Sequence, residues 1–288
     1  MKNPNIFNHS KIKNKLKHSL QKKVFLVISD SVDSTNNQAK KFVRNEESES
    51  QNISNAKIIV FTADHQFAGR GRRGHSWLSN DPASIAVSFL LQTKNNIEQI
   101  PQITAAAALA VKDCFEFFAL KTEIKWPNDI LVSNKKICGI LSELIFDAEK
   151  NAYVIIGCGI NLNNTEFSSE IEEIATSYYK EKNKKVDKNI FLAKLIEQMN
   201  FYLENYLSGS REMIIKSWKK ELNLIGKRID FNFKDKDYSG IVKDILDSGE
   251  LLMLFDNGQQ KKLQSLNTSL NYHSLQKYNN DLSKKGLK

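Results

Sequence analysis

The sequence predicts an α+β chain. Short apolar runs rich in β-formers, at residues 24–28, 58–61 and 85–91, recur through the first half at strand length. Helical stripes follow, over residues 101–118 and again beyond Asp187. From about Leu224 the pattern changes to alternation, with a tight turn at Asp256-Asn257-Gly258. That change marks a small all-β module, read as a short barrel. The resulting division is a polar extension over residues 1–22, a main domain over 23–222, the β module over 223–273 and a polar tail over 274–288.

Composition narrows the class. A chain of 288 residues with 41% hydrophobic and 26% charged residues is ordinary for a folded globular protein. The net charge of +9 suits anionic ligands or acidic partners. Many of the lysines, however, lie in Lys/Asn-rich stretches, which a solvated surface explains better than a nucleic-acid track. Cys114, Cys138 and Cys158 have no Cys-x-x-Cys spacing, so neither a disulfide framework nor a zinc site is signalled. No run reaches the length of a membrane span, and residues 24–28 are too few for a signal-peptide core. A cytoplasmic protein without a membrane partner is the expectation.

In chain order, Ile12, Leu16 and Leu20 sit at helical spacing in the Lys-rich start and predict one short amphipathic helix. That is too little for a helix-turn-helix domain. After a strand at residues 23–29, Asp33, Ser34 and Thr35 each suit a helix N-cap. The same hydroxyls and exposed N–H groups also suit a polar ligand at a helix start. Residues 46–55 read as a polar loop. Pro101 opens a long helix, in whose first turn a missing N–H is tolerated, and Ala105 to Ala108 predict close packing against a sheet.

Between the strands at 58–61 and 85–91 lies Gly69-Arg70-Gly71-Arg72-Arg73-Gly74, followed by Trp77. Glycine permits close backbone approach to a ligand, successive N–H groups can hold an anion, and arginine supplies a fixed charge with forked donors. Such a loop suits a ligand carrying more than one negative charge. The plain alternative is a flexible Arg/Gly tract that binds RNA without specificity. The brevity of the tract and its flanking strands argue against that alternative.

Lys125-Trp126-Pro127-Asn128-Asp129 opens a second informative stretch, a hairpin turning at Ser133-Asn134 and returning through Lys136, Gly139 and Ile140. Pro127 cannot donate to a sheet ladder, so a bulge or an edge is predicted there, pushing Asn128 and Asp129 out of register. A strand at 153–156 runs into Gly157-Cys158-Gly159-Ile160-Asn161. Without a third glycine and a following helix, a dinucleotide fingerprint is rejected. The glycines instead predict another close approach, with Asn161 offering an amide to a base or ribose. Asp187 and Ser210 then start two helices with core-spaced apolar stripes.

Taken together, four motifs resemble the biotin–protein ligase family, in family order from Lys23 to about residue 272. They are Asp33-Ser34-Thr35-Asn36; Gln66-x-Ala68 running into the Gly/Arg tract with Trp77; Lys125-Trp126-Pro127-Asn128-Asp129 with Lys136 and Gly139; and Gly157-x-Gly159-Ile160-Asn161. The resemblance implies a mixed sheet flanked by helices, like that of class II aminoacyl-tRNA synthetases, followed by an SH3-like barrel. It also implies an activity: biotin and Mg-ATP form biotinyl-5′-AMP, whose acyl group passes to a lysine of a biotin carboxyl carrier domain.

Carried over motif by motif, Ser34, Thr35, Asn36, Gln66, Gly69, Arg70, Gly71, Arg72, Lys136, Gly139 and Gly157 would bind biotin. Arg72, Arg73, Trp77, Asn128, Gly139, Ile140 and Asn161 would surround the nucleotide. Lys136, Arg72 and Asp129 would act in the chemistry, with Asp129 either holding Mg²⁺ or orienting the acceptor amine. Phe67 and Cys138 depart from residues frequent in the family, and no DNA-binding domain precedes Lys23, so repressor activity and specific DNA binding are not expected. A homodimer is left open.

Two other readings compete. A lipoate–protein ligase shares the fold and the acyl-adenylate chemistry, but its arginine-glycine motif differs. A basic nucleic-acid-binding protein would show steeply salt-dependent binding and no role for Lys136.

Overall fold

The computed structural model describes residues 6–44, 58–74, 76–77, 82–93, 100–272 and 274–275. The polar loop expected at 46–55 and the tail beyond 275 lie outside the described residues. Seven strands make the main sheet: β1 (Val24–Val32), β2 (Ile58–Gln66), β3 (Ile85–Thr93), β4 (Glu123–Lys125), β5 (Asp129–Val132), β6 (Lys135–Phe146) and β7 (Ala152–Ile160). Their order is β1-β2-β3-β7-β6-β5-β4, with β1 and β2 parallel and every other pair antiparallel. The sheet is mixed, as the resemblance implied.

Strand alternation gives the sheet two unlike faces. One face carries Val87, Phe89, Val154, Ile156, Cys158 and Ile160 into the large core. Over this face lie α4 (Ile100–Phe117), α6 (Lys188–Leu207) and α7 (Arg211–Leu222), and Ala105 to Ala108 are fully buried there. Alanine at four consecutive positions lets the helix axis approach its neighbours closely. On the other face, α3 (Thr35–Val43) covers only one end, packing Ala39, Phe42 and Val43 on Val27, Phe61, Leu90, Ile145 and Ile155. Among the described residues no helix covers the rest of that face, and it carries the site.

The N-terminal segment differs from expectation. Two short helices, α1 (His9–Lys15) and α2 (His18–Gln21), replace the single one, because the chain turns at Leu16, whose ψ of 145° is extended. Nor is this segment a loose extension. Phe7, Ile12, Leu16 and Leu20 are buried in the main core, and Asp64 of β2 accepts the N–H groups of Ile6 and Phe7 at 3.0 Å each. Lysines on the outer faces made the segment look merely polar.

Of the bulge or edge expected at Pro127, the edge is what forms: Trp126-Pro127-Asn128 is the turn of a hairpin between β5 and the edge strand β4, with a cis Trp126–Pro127 peptide. The bulge lies just beyond, where the β5–β6 register shifts between Ile130 and Leu131. β7 also continues through Gly157 and Gly159 to Ile160, so those glycines are inside a strand and not in a loop after it.

The C-terminal strands β8 (Arg228–Phe233), β9 (Lys236–Ile245), β10 (Leu251–Phe255), β11 (Gln260–Leu263) and β12 (Thr268–Asn271) form one antiparallel sheet in the order β11-β10-β9-β8-β12. Among the described residues its edges, β11 and β12, do not pair, so the expected barrel is not closed. Between the two sheets, Trp126 donates its backbone N–H to Tyr272 Oη at 2.7 Å and its indole N–H to the Gly249 carbonyl at 3.0 Å. Among the described residues, no helix is long and apolar enough to cross a membrane.

The packing of Phe7 gives a direct check on the N-terminal segment. Phe7→Ala should cost about 3 kcal/mol or more, read as a lowered urea midpoint. An unchanged midpoint would mean that the segment does not belong to the cooperative core.

Candidate functional site

The bare part of the sheet is floored by small residues. In register across four strands stand Ala86, Gly159, Gly139 and Asp129, and one step along stand Ser88, Gly157 and Leu141. The glycines are required by what lies on them. A Cβ on Gly159 would stand 2.3 Å from Trp77 Cε2, and one on Gly157 would stand 2.2 Å from Asn36 Oδ1. The result is a cleft of about 280 Å³.

Its walls come from separate parts of the chain. α3 contributes Ser34, Thr35 and Asn36 at its start; β2 contributes Gln66; the Gly/Arg loop contributes Arg70, Gly71, Arg72, Arg73 and Trp77. The β4–β6 hairpins add Asn128, Asp129, Lys136, Gly139 and Ile140, and the C-terminal sheet adds Ser265, Thr268 and Leu270. Of the residues singled out from the sequence, only Gly69 and Asn161 do not line the cleft. Gly69 instead accepts the Trp77 N–H at 2.9 Å, closing the loop on itself. The correction for Asn161 is larger. It is buried, and its amide donates to the carbonyls of Thr176 at 3.0 Å and Lys136 at 3.4 Å. It braces the strand that presents Lys136 rather than offering itself to a base.

The two ends of the cleft differ in chemistry. One end is neutral, buried and dense in hydrogen bonds. Gln66 Oε1 accepts the Thr35 backbone N–H at 2.9 Å, and Ser88 Oγ lies 2.7 Å from Thr35 Oγ1 and 2.6 Å from Asn36 Oδ1. Asn36 Nδ2 donates to Glu143 at 2.9 Å, and Lys40 pairs with the same carboxylate at 2.8 Å. Burial pushes the Glu143 carboxyl up. The hydrogen bonds from Lys40 and Asn36, with the charges of Lys40 and Arg70, outweigh burial and leave it below its ordinary value. Sequence reasoning missed Ser88 and Glu143, although Ser88 stood among apolar residues of β3 and Glu143 was the one acidic residue of β6.

The other end is cationic. Lys136 Nζ pairs with Asp129 at 2.7 Å and lies 5.4 Å from the Trp77 ring centroid. Arg72 donates to Asn128 Oδ1 at 3.2 Å and to Ser265 Oγ at 2.7 Å. Burial, aided by the adjacent charge of Arg73, pulls the Arg72 pKa down, and Asp129 opposes this. Arg73, in the left-handed region at φ 55°, donates to the carbonyls of Ser265 and Thr268 at 2.8 and 3.1 Å. Arg70 reaches Asn37 Oδ1 at 3.3 Å.

No thiol competes as a nucleophile: all three cysteines are buried, and burial pushes the Cys158 thiol up to about 12. Asp129 is the one carboxylate among the described residues lining the cleft, and no group of three acidic, His or Cys side chains forms a cation cage among them. That donor set fits Mg²⁺ only in the form in which phosphates supply most of its ligands.

Comparison with known proteins agrees with this geometry. The biotin/lipoate A/B protein ligase family matches residues 28–161. The bifunctional ligase/repressor BirA of Bacillus spizizenii is 30% identical over 264 residues, covering 91% of this chain and 78% of that protein. The biotin–[acetyl-CoA-carboxylase] ligase of Mycobacterium tuberculosis is 28% identical, covering 68% of this chain and 73% of that one. Among solved structures, the biotin protein ligase of Aquifex aeolicus in complex with biotin and ATP superposes with a TM-score of 0.69 at 27% identity, over 86% of this chain and 98% of that chain. At 30% identity over 91% of this chain, and with the family match over residues 28–161, the chain belongs to the biotin protein ligase family.

Proposed function

We propose that this chain is an ATP-dependent biotin–protein ligase. It condenses biotin with ATP to biotinyl-5′-AMP and then transfers the acyl group to a lysine of a biotin carboxyl carrier domain. The observation that carries this reading is the polarity of a single cleft. Its neutral, hydrogen-bonded end, at Ser34, Thr35, Asn36 and Gln66, suits an uncharged cyclic urea. Its cationic end, at Arg70, Arg72 and Lys136, suits a carboxylate meeting a phosphate.

In the first step the biotin carboxylate attacks the α-phosphorus, a C–O–P linkage forms and pyrophosphate leaves. Two unit charges about 4 Å apart repel by roughly 1 kcal/mol in water and about 4 kcal/mol at an effective dielectric near 20. Lys136 and Arg72 offset that repulsion and stabilise the charge that builds on phosphorus. Before substrates bind, Asp129 neutralises Lys136, so the lysine exchanges one anionic partner for another and is never left uncompensated. Asp129 is the carboxylate that would share Mg²⁺ with the phosphates, where the ion would offset their negative charge.

Trp77 and Asn128 border the nucleotide, with Arg73, Gly139 and Ile140. Asn161 holds the Lys136 strand in place. Gly71 and Arg70 bring backbone and charge toward the biotin carboxylate, and Gly139 and Gly157 keep the floor low beneath the ligand. In the second step the neutral carrier amine attacks the acyl carbon and AMP leaves.

Incubation with biotin, ATP and a carboxyl carrier domain tests the reading: biotin should be incorporated at one lysine, and lipoate in its place should not. Absence of biotin-dependent pyrophosphate exchange would overturn it.

Two variants probe the parts. Lys136→Ala should lose about 10²–10³-fold in pyrophosphate exchange while melting at the wild-type temperature; wild-type exchange would remove Lys136 from the chemistry. Gly159→Ala must expel the Trp77 indole from its seat. The KM for ATP should rise by about tenfold or more and the tryptophan emission should shift to the red. Unchanged emission together with an unchanged KM would show that the ring does not rest on Gly159.

A further inference from the structure

Behind the neutral end of the cleft runs a chain of hydrogen bonds, buried at its inner links, whose direction depends on one charge. An ionised carboxylate only accepts, so Glu143 obliges Asn36 to turn its NH₂ outward, toward the 2.9 Å contact. Asn36 Oδ1, also an acceptor only, then faces Ser88 Oγ at 2.6 Å and takes that hydroxyl's single proton. The 2.7 Å contact between Ser88 and Thr35 must therefore carry the Thr35 proton toward Ser88. Gln66 Oε1, 3.3 Å from Thr35 Oγ1, is supplied instead by the Thr35 backbone N–H at 2.9 Å.

The inner links are buried: Ser88 is fully enclosed, and Thr35, Asn36 and Gln66 are nearly so, while Glu143 at the outer end is partly buried. Water is thus kept from correcting a reversed inner link. With a neutral amide in place of Glu143 the chain can run either way, because an amide both donates and accepts.

We propose that Glu143 is a positioning residue for the ligand's head group. Its charge fixes the direction of hydrogen bonding through Asn36, Ser88 and Thr35, and so fixes which donors and acceptors meet the ligand. A cyclic urea presents one acceptor between two donors and needs such a fixed pattern. The inference rests on the reading above that this end of the cleft takes the urea of biotin. Lys40, which does not line the cleft, holds the carboxylate in place from the far side.

A double-mutant cycle on the full chain tests it, with biotin binding followed by calorimetry and KM and kcat by pyrophosphate exchange. Glu143→Gln and Ser88→Ala should each weaken biotin binding by between about ten- and a hundredfold. The KM for ATP, and kcat at saturating biotin, should move less than about threefold. Because both act through one relay, the double variant should bind within about threefold of the worse single one. Losses that multiply would overturn the relay, and so would wild-type affinity in Glu143→Gln. Should Glu143→Gln not fold, Ser88→Ala decides alone: wild-type biotin affinity in that variant overturns the proposal. Wild-type protein that binds no biotin would overturn the reading of the cleft and this inference with it. Wild-type binding with an unaffected Glu143→Gln overturns only the assignment of Glu143.

Discussion

The site depends on the absence of side chains from one patch of one sheet face. Gly157, Gly159 and Gly139 face the same side of three-stranded register as Ala86 and Ser88, and nothing larger than these rises from β3 and β7 there. A central strand interior is a costly place for glycine, since backbone freedom is lost and no side chain packs in return. The opposite face makes up for it: Val154, Ile156, Cys158 and Ile160, from the same strand, are all in the main core. One strand thus supplies packing on one side and a hollow on the other, and the period of two keeps these roles apart.

That hollow gathers positive charge that would be unfavourable if left alone. Lys136 is paired with Asp129, Arg72 rests on Asn128 and Ser265, and Arg70 leans toward Asn37 and Glu143. The partners differ in kind, and the difference matters. Arg72 and Arg73 are bound largely to neutral oxygens, so their charge is held in place without being cancelled. The charge of Lys136 is balanced by a carboxylate. Fixed dipoles and exchangeable ions together give a site that is preorganised yet not repelled by its own charges.

Much of this was legible in the sequence, and the failures have physical causes. The Gly/Arg loop, Lys136 and Gly157 could be read because each breaks a local pattern: glycine and charge stand where strands would place β-branched residues. Asn161 was legible as a polar residue after a strand but not as a brace, because its partners Lys136 and Thr176 are brought to it only by folding. Ser88 and Glu143 were hidden by their apolar neighbours. Their meaning lies in the cross-strand register, which periodicity alone does not give. The start of the chain reads as a polar extension with one short amphipathic helix because its lysines outnumber Phe7, Ile12, Leu16 and Leu20, yet those four are buried in the main core. The C-terminal barrel was read from alternation, and alternation specifies strands without specifying closure.

The C-terminal sheet also has a physical part in the site that composition could not reveal. It braces both walls of the cationic end by different contacts. Ser265 and Thr268 hold Arg72 and Arg73 of the Gly/Arg loop, while Tyr272 and Gly249 hold Trp126 at the head of the hairpin that carries Asn128 and Asp129. A loop rich in glycine has much conformational freedom to lose when it orders, and donors already engaged by a neighbouring sheet lose less of it on binding. Asn128 then joins the two walls, accepting from Arg72 and donating to the Ile140 carbonyl at 2.5 Å. The cationic half of the cleft is therefore a structure shared between the two sheets, and its geometry follows from their docking as much as from either sheet's own strands.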